Sequence, residues 1–160
     1  MGQDASLREH LLDLLSAEGA HLGFEDAVSG LPPELRGAVP PGAPHSAWQL
    51  LEHLRLAQWD ILEYSRNPAH VSPPFPQGYW PASPEPPDEA AWEASLEAFR
   101  ADLQAMRGLV ADRARDLFAE LPYGEGGTLL GEALLVADHN AYHLGQLVLL
   151  RRLLGAWPSG

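Results

Sequence analysis

Prolines divide this chain into helical and non-helical segments. Of its 15 prolines, five lie in residues 31–45 and eight in residues 67–87. Proline lacks a backbone donor and its ring collides with the preceding helical turn, so neither stretch can continue a helix or form a central strand. The remaining segments carry leucine and alanine at three- and four-residue spacing, which is typical of amphipathic helices. The sequence therefore predicts an all-α fold.

Four helices are predicted, and the second proline-rich stretch determines how two of them are arranged. Extended, its 21 residues reach about 65 Å, whereas a 20-residue helix is about 30 Å long. The stretch can therefore cross the molecule, so that the second and third helices of a bundle lie roughly parallel. The predicted helices cover residues 6–28, 46–66, 88–120 and 128–154, each beginning at a residue suited to N-capping.

Composition limits the possible partners and ligands. The chain has 10 basic residues, all arginine, against 22 acidic ones, and its net charge is −12. Binding to a nucleic-acid backbone is therefore not expected, and with no cysteine only histidine and carboxylate side chains can ligate a metal. There is no apolar run of 18 residues and no signal-peptide pattern. We therefore expect one cytoplasmic domain, residues 1–160, without a membrane partner.

His139 and His143 lie four residues apart in the fourth predicted helix. At this spacing two imidazoles project from the same helical face, so their nitrogens can bind one ion. The rest of that face is apolar, so the rings need partners there. Core histidines that bond to backbone or carboxylate groups would explain the same pattern, and a metal site would require at least a third ligand.

The second predicted helix offers that third ligand. His53 shares an inward face with Leu50 and Ala57, and Asp60 lies two turns further along the same side. A lone histidine in such a position is more often a hydrogen-bonded core residue, so both interpretations stay open. His45 and His70 fall in predicted loops, and we expect their replacement to leave metal binding nearly unchanged.

Two other helical faces are informative. In the first predicted helix Glu18, His21 and Glu25 either line a site or flank a narrow apolar stripe in solvent. The fourth predicted helix is apolar over more than half of its circumference, which is more than one bundle core needs. We therefore expect part of that helix to form the interface of a homodimer.

Taken together and in order, these motifs resemble the DinB-like (YfiT-like) superfamily of metal-binding four-helix bundles. The resemblance covers most of the chain and rests on residues 46–53 (SAWQLLEH), 79–81 (YWP) and 139–146 (HNAYHLGQ). It implies an up-down-down-up four-helix bundle with the long proline-rich crossover between helices 2 and 3. It also implies that His53, His139 and His143 bind a divalent metal ion, with Zn or Ni as first choices and Fe, Mn or Co as alternatives.

The resemblance extends to function, because several members of that superfamily are bacillithiol or mycothiol S-transferases. It implies a metal-dependent enzyme that transfers a low-molecular-weight thiol, held as a thiolate, to a small electrophile. A hydrolase using metal-bound water and a non-catalytic, stress-associated metal-binding dimer are the alternatives. We expect the pocket to be lined or oriented by five residues, with Asp60 as an acceptor for a ligand imidazole: His21, Glu25, Asp60, Tyr79 and Trp80.

Overall fold

The computed structural model describes residues 2–16, 20–122 and 126–157 of the protein. These residues form five α-helices and one 3-10 helix, Pro33–Leu35. The prediction of an all-α fold is confirmed, and no helix in this part of the chain is long and apolar enough to cross a membrane. The α-helices are α1 (Gln3–Ser16), α2 (Phe24–Val28), α3 (Ala47–Arg66), α4 (Glu89–Ala111) and α5 (Leu129–Leu153).

The first predicted helix, 6–28, is not continuous. α1 ends at Ser16, residues 20–23 are not helical, and α2 is a separate five-residue helix. Gly23 precedes α2 in an extended conformation, and its amide donates to Asp26 Oδ2 at 3.3 Å. A new helix N-terminus therefore forms here, because an acidic side chain in the first turn satisfies an otherwise unpaired amide.

The third predicted helix is too long, since α4 ends at Ala111 and not near residue 120. The guanidinium of Arg8 in α1 lies at this end of α4 and is buried. It donates to the carbonyl oxygens of Val110, Asp112 and Arg115 at 2.6, 3.1 and 2.7 Å. The Val110 carbonyl belongs to the last turn of α4, where a helix leaves carbonyl groups unpaired, so a contact from a distant helix stabilises the end of α4.

The predicted boundaries of the second and fourth helices are confirmed to within one residue. Ser46 caps α3 by accepting from the Gln49 amide, and the Gln49 side chain accepts from the Ser46 amide in return. Thr128 caps α5 by accepting from the Gly131 amide at 3.1 Å. Gly155 follows α5 at φ +68, a conformation that favours glycine and ends the helix. Local sequence determines these ends.

The buried core consists of two apolar clusters with polar side chains between them. One cluster joins α2, the first half of α3, the first half of α4 and the second half of α5. The other joins α1, Leu62 of α3, the second half of α4 and the first half of α5. The residues of α3 and α5 between these clusters include the buried Gln58 and Asn140, whose side chains bond to each other at 2.9 Å. The candidate ligands lie beside this pair.

The proline-rich residues 67–87 contain no helix or strand and lie along α3. Side chains of α3 and of its N-cap Ser46 bond to them at four levels. Residues later in the crossover bond to positions nearer the start of α3, so the crossover runs antiparallel to this helix. The bonded pairs are Asp60 with Tyr79, His53 with the Tyr79 carbonyl, Gln49 with the Pro81 carbonyl and Ser46 with the Pro84 carbonyl.

Candidate metal centre

Three histidines from two helices converge on one point. His53 comes from α3, and His139 and His143 come from successive turns of α5. The Nε2 atom of His53 lies 3.1 Å from the Nε2 atoms of both His139 and His143. All three ring nitrogens lie within 4.8 Å of one another. The structure thus brings together the three residues that the sequence singled out.

Burial keeps these rings neutral. It lowers the pKa of His53 to about 4, with the neighbouring rings of His143 and His45 adding to the effect. The pKa of His139 is also lowered to about 4 by burial and by the two other imidazoles. Burial lowers the pKa of His143 as well. Neutral imidazole is the form that binds a metal, so near neutral pH this ligand set does not have to release protons.

Hydrogen bonds fix which nitrogen of two rings carries the hydrogen. His53 Nδ1 lies 3.1 Å from the carbonyl oxygen of Tyr79, and His143 Nδ1 lies 2.7 Å from Gln146 Oε1. The Tyr79 carbonyl can only accept, and the Gln146 amide presents its oxygen to His143, so in both neutral rings the hydrogen is on Nδ1 and Nε2 carries a lone pair. Two lone pairs therefore face each other across the 3.1 Å between the Nε2 atoms. A cation shared by the two nitrogens would turn this repulsion into ligation, so the donor set fits a divalent metal.

Trp80 holds the face of one ligand ring. Its indole stacks on His53 with ring centroids 3.8 Å apart and planes 5° apart. On the other face of Trp80 lies His45, at 3.9 Å and 17°. His45 is therefore part of the surroundings of the centre although it lies in a loop, and the expectation that its replacement leaves metal binding nearly unchanged stays a prediction.

Asp60 contacts the crossover rather than a ligand. Its Oδ2 accepts from the Tyr79 hydroxyl at 2.6 Å, and its Oδ1 lies 2.6 Å from His70 Nε2. The prediction that Asp60 accepts directly from a ligand imidazole is therefore wrong; the Tyr79 carbonyl takes that role for His53. His70, a loop residue, is paired with this largely buried carboxylate.

His21 and Glu25 belong to a different cavity. They line a space of about 550 Å³ next to α4, together with Arg100 and Arg107, and none of the three candidate ligands lines it. Glu25 is ion-paired with Arg100 at 2.7 Å. No contact supports the prediction that these two side chains line the pocket of the histidine cluster. Glu18 lies outside the described residues.

A groove of about 300 Å³ adjoins the centre. It is formed by residues 41–45, Leu50 of α3 and the second half of α5, and its lining is apolar apart from His45 and Gln146. Gln146 accepts from the ligand His143, and His45 stacks on the ring that covers His53. Gln146 thus contacts a candidate ligand directly, and His45 contacts Trp80, the ring that covers His53.

Comparison with known families agrees with this geometry. The profile of the DinB superfamily matches residues 18–147, which is more than half of the chain and includes all three histidines. The chain belongs to the DinB superfamily. Neither the curated proteins nor the solved structures gave a match. The matched range of this DinB protein begins after α1 and ends within α5. Family membership and the convergent imidazoles together support a metal site whose ion is not identified.

Sequence reasoning missed three participants: His45, His70 and Gln146. Gln146 is three residues after His143, a spacing at which helical side chains meet, so this contact could have been inferred. No local pattern indicated His45 or His70, because their contacts with Trp80 and Asp60 depend on how the loops fold against α3.

Proposed function

We propose that this DinB protein is a divalent-metal-dependent enzyme that transfers a low-molecular-weight thiol to a small electrophile. The observation that carries the metal requirement is the pair of lone-pair-bearing Nε2 atoms of His53 and His143, 3.1 Å apart in a buried position. The choice of thiol transfer is supported by the resemblance to thiol S-transferases of the same superfamily and by three neutral ligands, which would leave the charge of the ion uncancelled.

In this proposal His53, His139 and His143 hold the ion, with zinc or nickel as first choices. When bound, the ion supplies a Lewis acid that favours the ionised form of a thiol near neutral pH. Gln146 and the Tyr79 carbonyl orient two of the ligands by accepting from their Nδ1–H groups. The overall reaction forms one bond from the thiol sulfur to the electrophile, and the thiol proton leaves with the displaced group.

We propose the apolar groove beside His45 and Gln146 as the place where the electrophile binds. Small-molecule sites in proteins are concave and mostly apolar with a few convergent polar groups, which describes this groove. A compact apolar electrophile would place its reactive atom toward the polar side of the groove, next to the ligands. The thiol would have to approach the open side of the same centre.

The proposed arrangement of the bundle is up-down-down-up. Two buried contacts between α3 and α4 support parallel helices: Ser95 donates to Glu52, and Gln58 donates to the carbonyl of Phe99. The residue numbers of the bonded partners increase together along the two helices, as expected for parallel neighbours. Between α3 and α5 the order is reversed, since His53 contacts His143 and Gln58 contacts Asn140.

Metal analysis and a thiol assay test the function. Protein produced without an affinity tag is expected to contain about one equivalent of divalent metal, and thiol should be consumed only when an electrophile and metal are present. A panel of small thiols and apolar electrophiles gives the readout, with His139→Ala as the metal-deficient control. Electrophile loss without thiol consumption would favour a hydrolase, and no turnover with bound metal would favour the non-catalytic dimer.

A further inference from the structure

Asp60 joins two distant points of the crossover. Both of its carboxylate oxygens are in use, Oδ2 by the Tyr79 hydroxyl and Oδ1 by His70 Nε2, each at 2.6 Å. The pair is shielded from water, because the side chains of His70 and Asp60 are only 7% and 14% exposed. One α3 carboxylate therefore closes the ten residues 70–79 into a loop with both ends attached to the same helix.

Tyr79 connects this carboxylate to the metal centre. Its hydroxyl bonds to Asp60, and its carbonyl oxygen accepts from His53 Nδ1 at 3.1 Å. Asp60 and His53 are seven residues apart in α3, about two helical turns or roughly 10 Å. Tyr79 thus spans two turns of α3 and is held at both ends. Burial and the Asp60 carboxylate raise the pKa of Tyr79 to about 12, so its hydroxyl keeps the proton that it donates.

The next residue completes the support of His53. Trp80 is attached directly to the Tyr79 carbonyl, and its indole lies flat on the His53 ring at 3.8 Å. One edge of the imidazole is thus fixed by a carbonyl and one face by an indole. Both groups are placed by the same short piece of chain, so the position of that piece determines the tautomer and the plane of the ligand.

We propose that Asp60 is a positioning residue for the metal centre, acting through Tyr79 on the ligand His53. The inference rests on the proposed metal site but not on its reaction. It implies that docking of the crossover and binding of the ion stabilise each other, since such coupling is reciprocal. The alternative is that the Asp60 network only attaches a loop to the bundle.

Tyr79→Phe is the sharpest test, because it removes one oxygen and keeps the ring and the carbonyl. Metal-free wild type, Tyr79→Phe and Asp60→Ala are titrated with Co²⁺ alone, following the absorption bands of the bound ion, and then with Zn²⁺ in competition. We expect both variants to bind about 10- to 100-fold more weakly, as removal of partners that orient metal ligands usually does. The Co²⁺ spectrum should also change, because the His53 ring is held less firmly.

Two control variants separate positioning from general loss of stability. Val110→Ala shortens a fully buried side chain in the cluster that α1 shares with α4. Ser83→Ala removes hydrogen bonds that lie within the crossover itself. Both are expected to bind Co²⁺ as wild type does. Unchanged affinity in Tyr79→Phe, or an equal loss in Val110→Ala, would overturn the inference while leaving the metal site intact. Absence of Co²⁺ binding by wild type would instead overturn the metal site, and the inference with it.

Discussion

At the scale of single residues, the position of one hydrogen on each imidazole determines what the centre can bind. The Tyr79 carbonyl and Gln146 place hydrogens on Nδ1 of His53 and His143, leaving their Nε2 lone pairs directed at each other. Water could satisfy one such pair of nitrogens, but a third Nε2, from His139, lies at the same distance from His53. Three convergent nitrogens are what an ion needs, which separates this cluster from an ordinary core histidine.

The His53 ligand can be tested directly. We expect His53→Ala to lower divalent-metal affinity by several orders of magnitude, because two imidazoles on one helical face form a poor ligand set. At a metal concentration one hundred times the Kd, binding stabilises the folded protein by about 2.7 kcal/mol, and the variant should lose most of that increase. Titrations with zinc and nickel and melting curves with and without metal give the measurement.

The control for that experiment is His10→Ala, since His10 is exposed on α1. His45 and His70 are unsuitable controls, because one stacks on Trp80 and the other is paired with Asp60. Unchanged metal stoichiometry and affinity in His53→Ala would contradict a three-histidine site.

The lowered pKa values of His53 and His139 make metal-free stability depend on pH. Both values are about 4 in the folded protein, below the ordinary value of 6.5 that the unfolded chain retains. Between these limits the unfolded state binds more protons, so stability falls as pH falls from about 6.5 to about 4, and these groups cause no loss above that range. Urea midpoints of chelator-treated protein should decrease between pH 7 and pH 5. The double variant His53→Asn/His139→Asn should show a smaller decrease; an equal one would assign the effect to other groups.

At the scale of elements, the end of α4 depends on α1. Arg8 is buried, and three carbonyl oxygens around that end accept its bonds. The carboxylate of its ion-pair partner Asp4 is largely exposed. The three carbonyl oxygens therefore offset most of the free-energy cost of burying the Arg8 guanidinium. The contact joins the second turn of α1 to the last turn of α4, and Arg8 and Val110 are 102 residues apart in sequence.

We expect Arg8→Met to lower the free energy of unfolding by about 2 kcal/mol, the usual scale for losing hydrogen bonds from a charged donor. Metal affinity should stay unchanged, because Arg8 bonds to Val110, which belongs to the cluster that α1 and α4 share and not to the histidine site. Urea denaturation and a Co²⁺ titration measure the two quantities. The exposed Arg113 supplies the control, since Arg113→Met should change neither; equal stability of Arg8→Met and wild type would argue against the contact.

At the scale of the whole molecule, the homodimer remains a prediction, and burial shows which apolar residues of α5 are available for it. Of the apolar residues on the side of α5 away from the histidines, Ala137 and Leu144 are buried within the protein. Leu134 of that side remains 44% exposed and forms a stripe with Leu135 and Tyr142, which are 48% and 65% exposed, whereas the exposed Leu149 and Leu153 line the groove beside His45. A second copy of α5 packed on this stripe would cover side chains that one bundle leaves in water.

Sedimentation tests this surface. We expect wild-type protein to sediment as a dimer at micromolar concentration and Leu135→Glu to shift it toward monomer, because a charge would be buried in an apolar interface. Val71→Glu is the matched control, as Val71 is an exposed apolar residue of the crossover. A wild-type monomer would remove the basis for the dimer, and an equal shift in Val71→Glu would point to a different surface.

Some features of this protein follow from local sequence. The all-α class, the caps of α3 and α5 and the candidate ligands His139 and His143 each depend on side chains within about one helical turn of each other. Capping, proline exclusion and helical spacing act at that range, so a linear sequence carries the necessary information.

Other features depended on contacts between distant parts of the chain. The end of α4 depends on Arg8, the orientation of His53 on Tyr79 and Trp80, and the surroundings of the site on His45 and His70. Burial also selected which apolar face of α5 stays exposed, since spacing alone fits more than one face. These outcomes depend on packing between segments that are far apart in sequence, whereas the periodicity of one segment describes only its own faces.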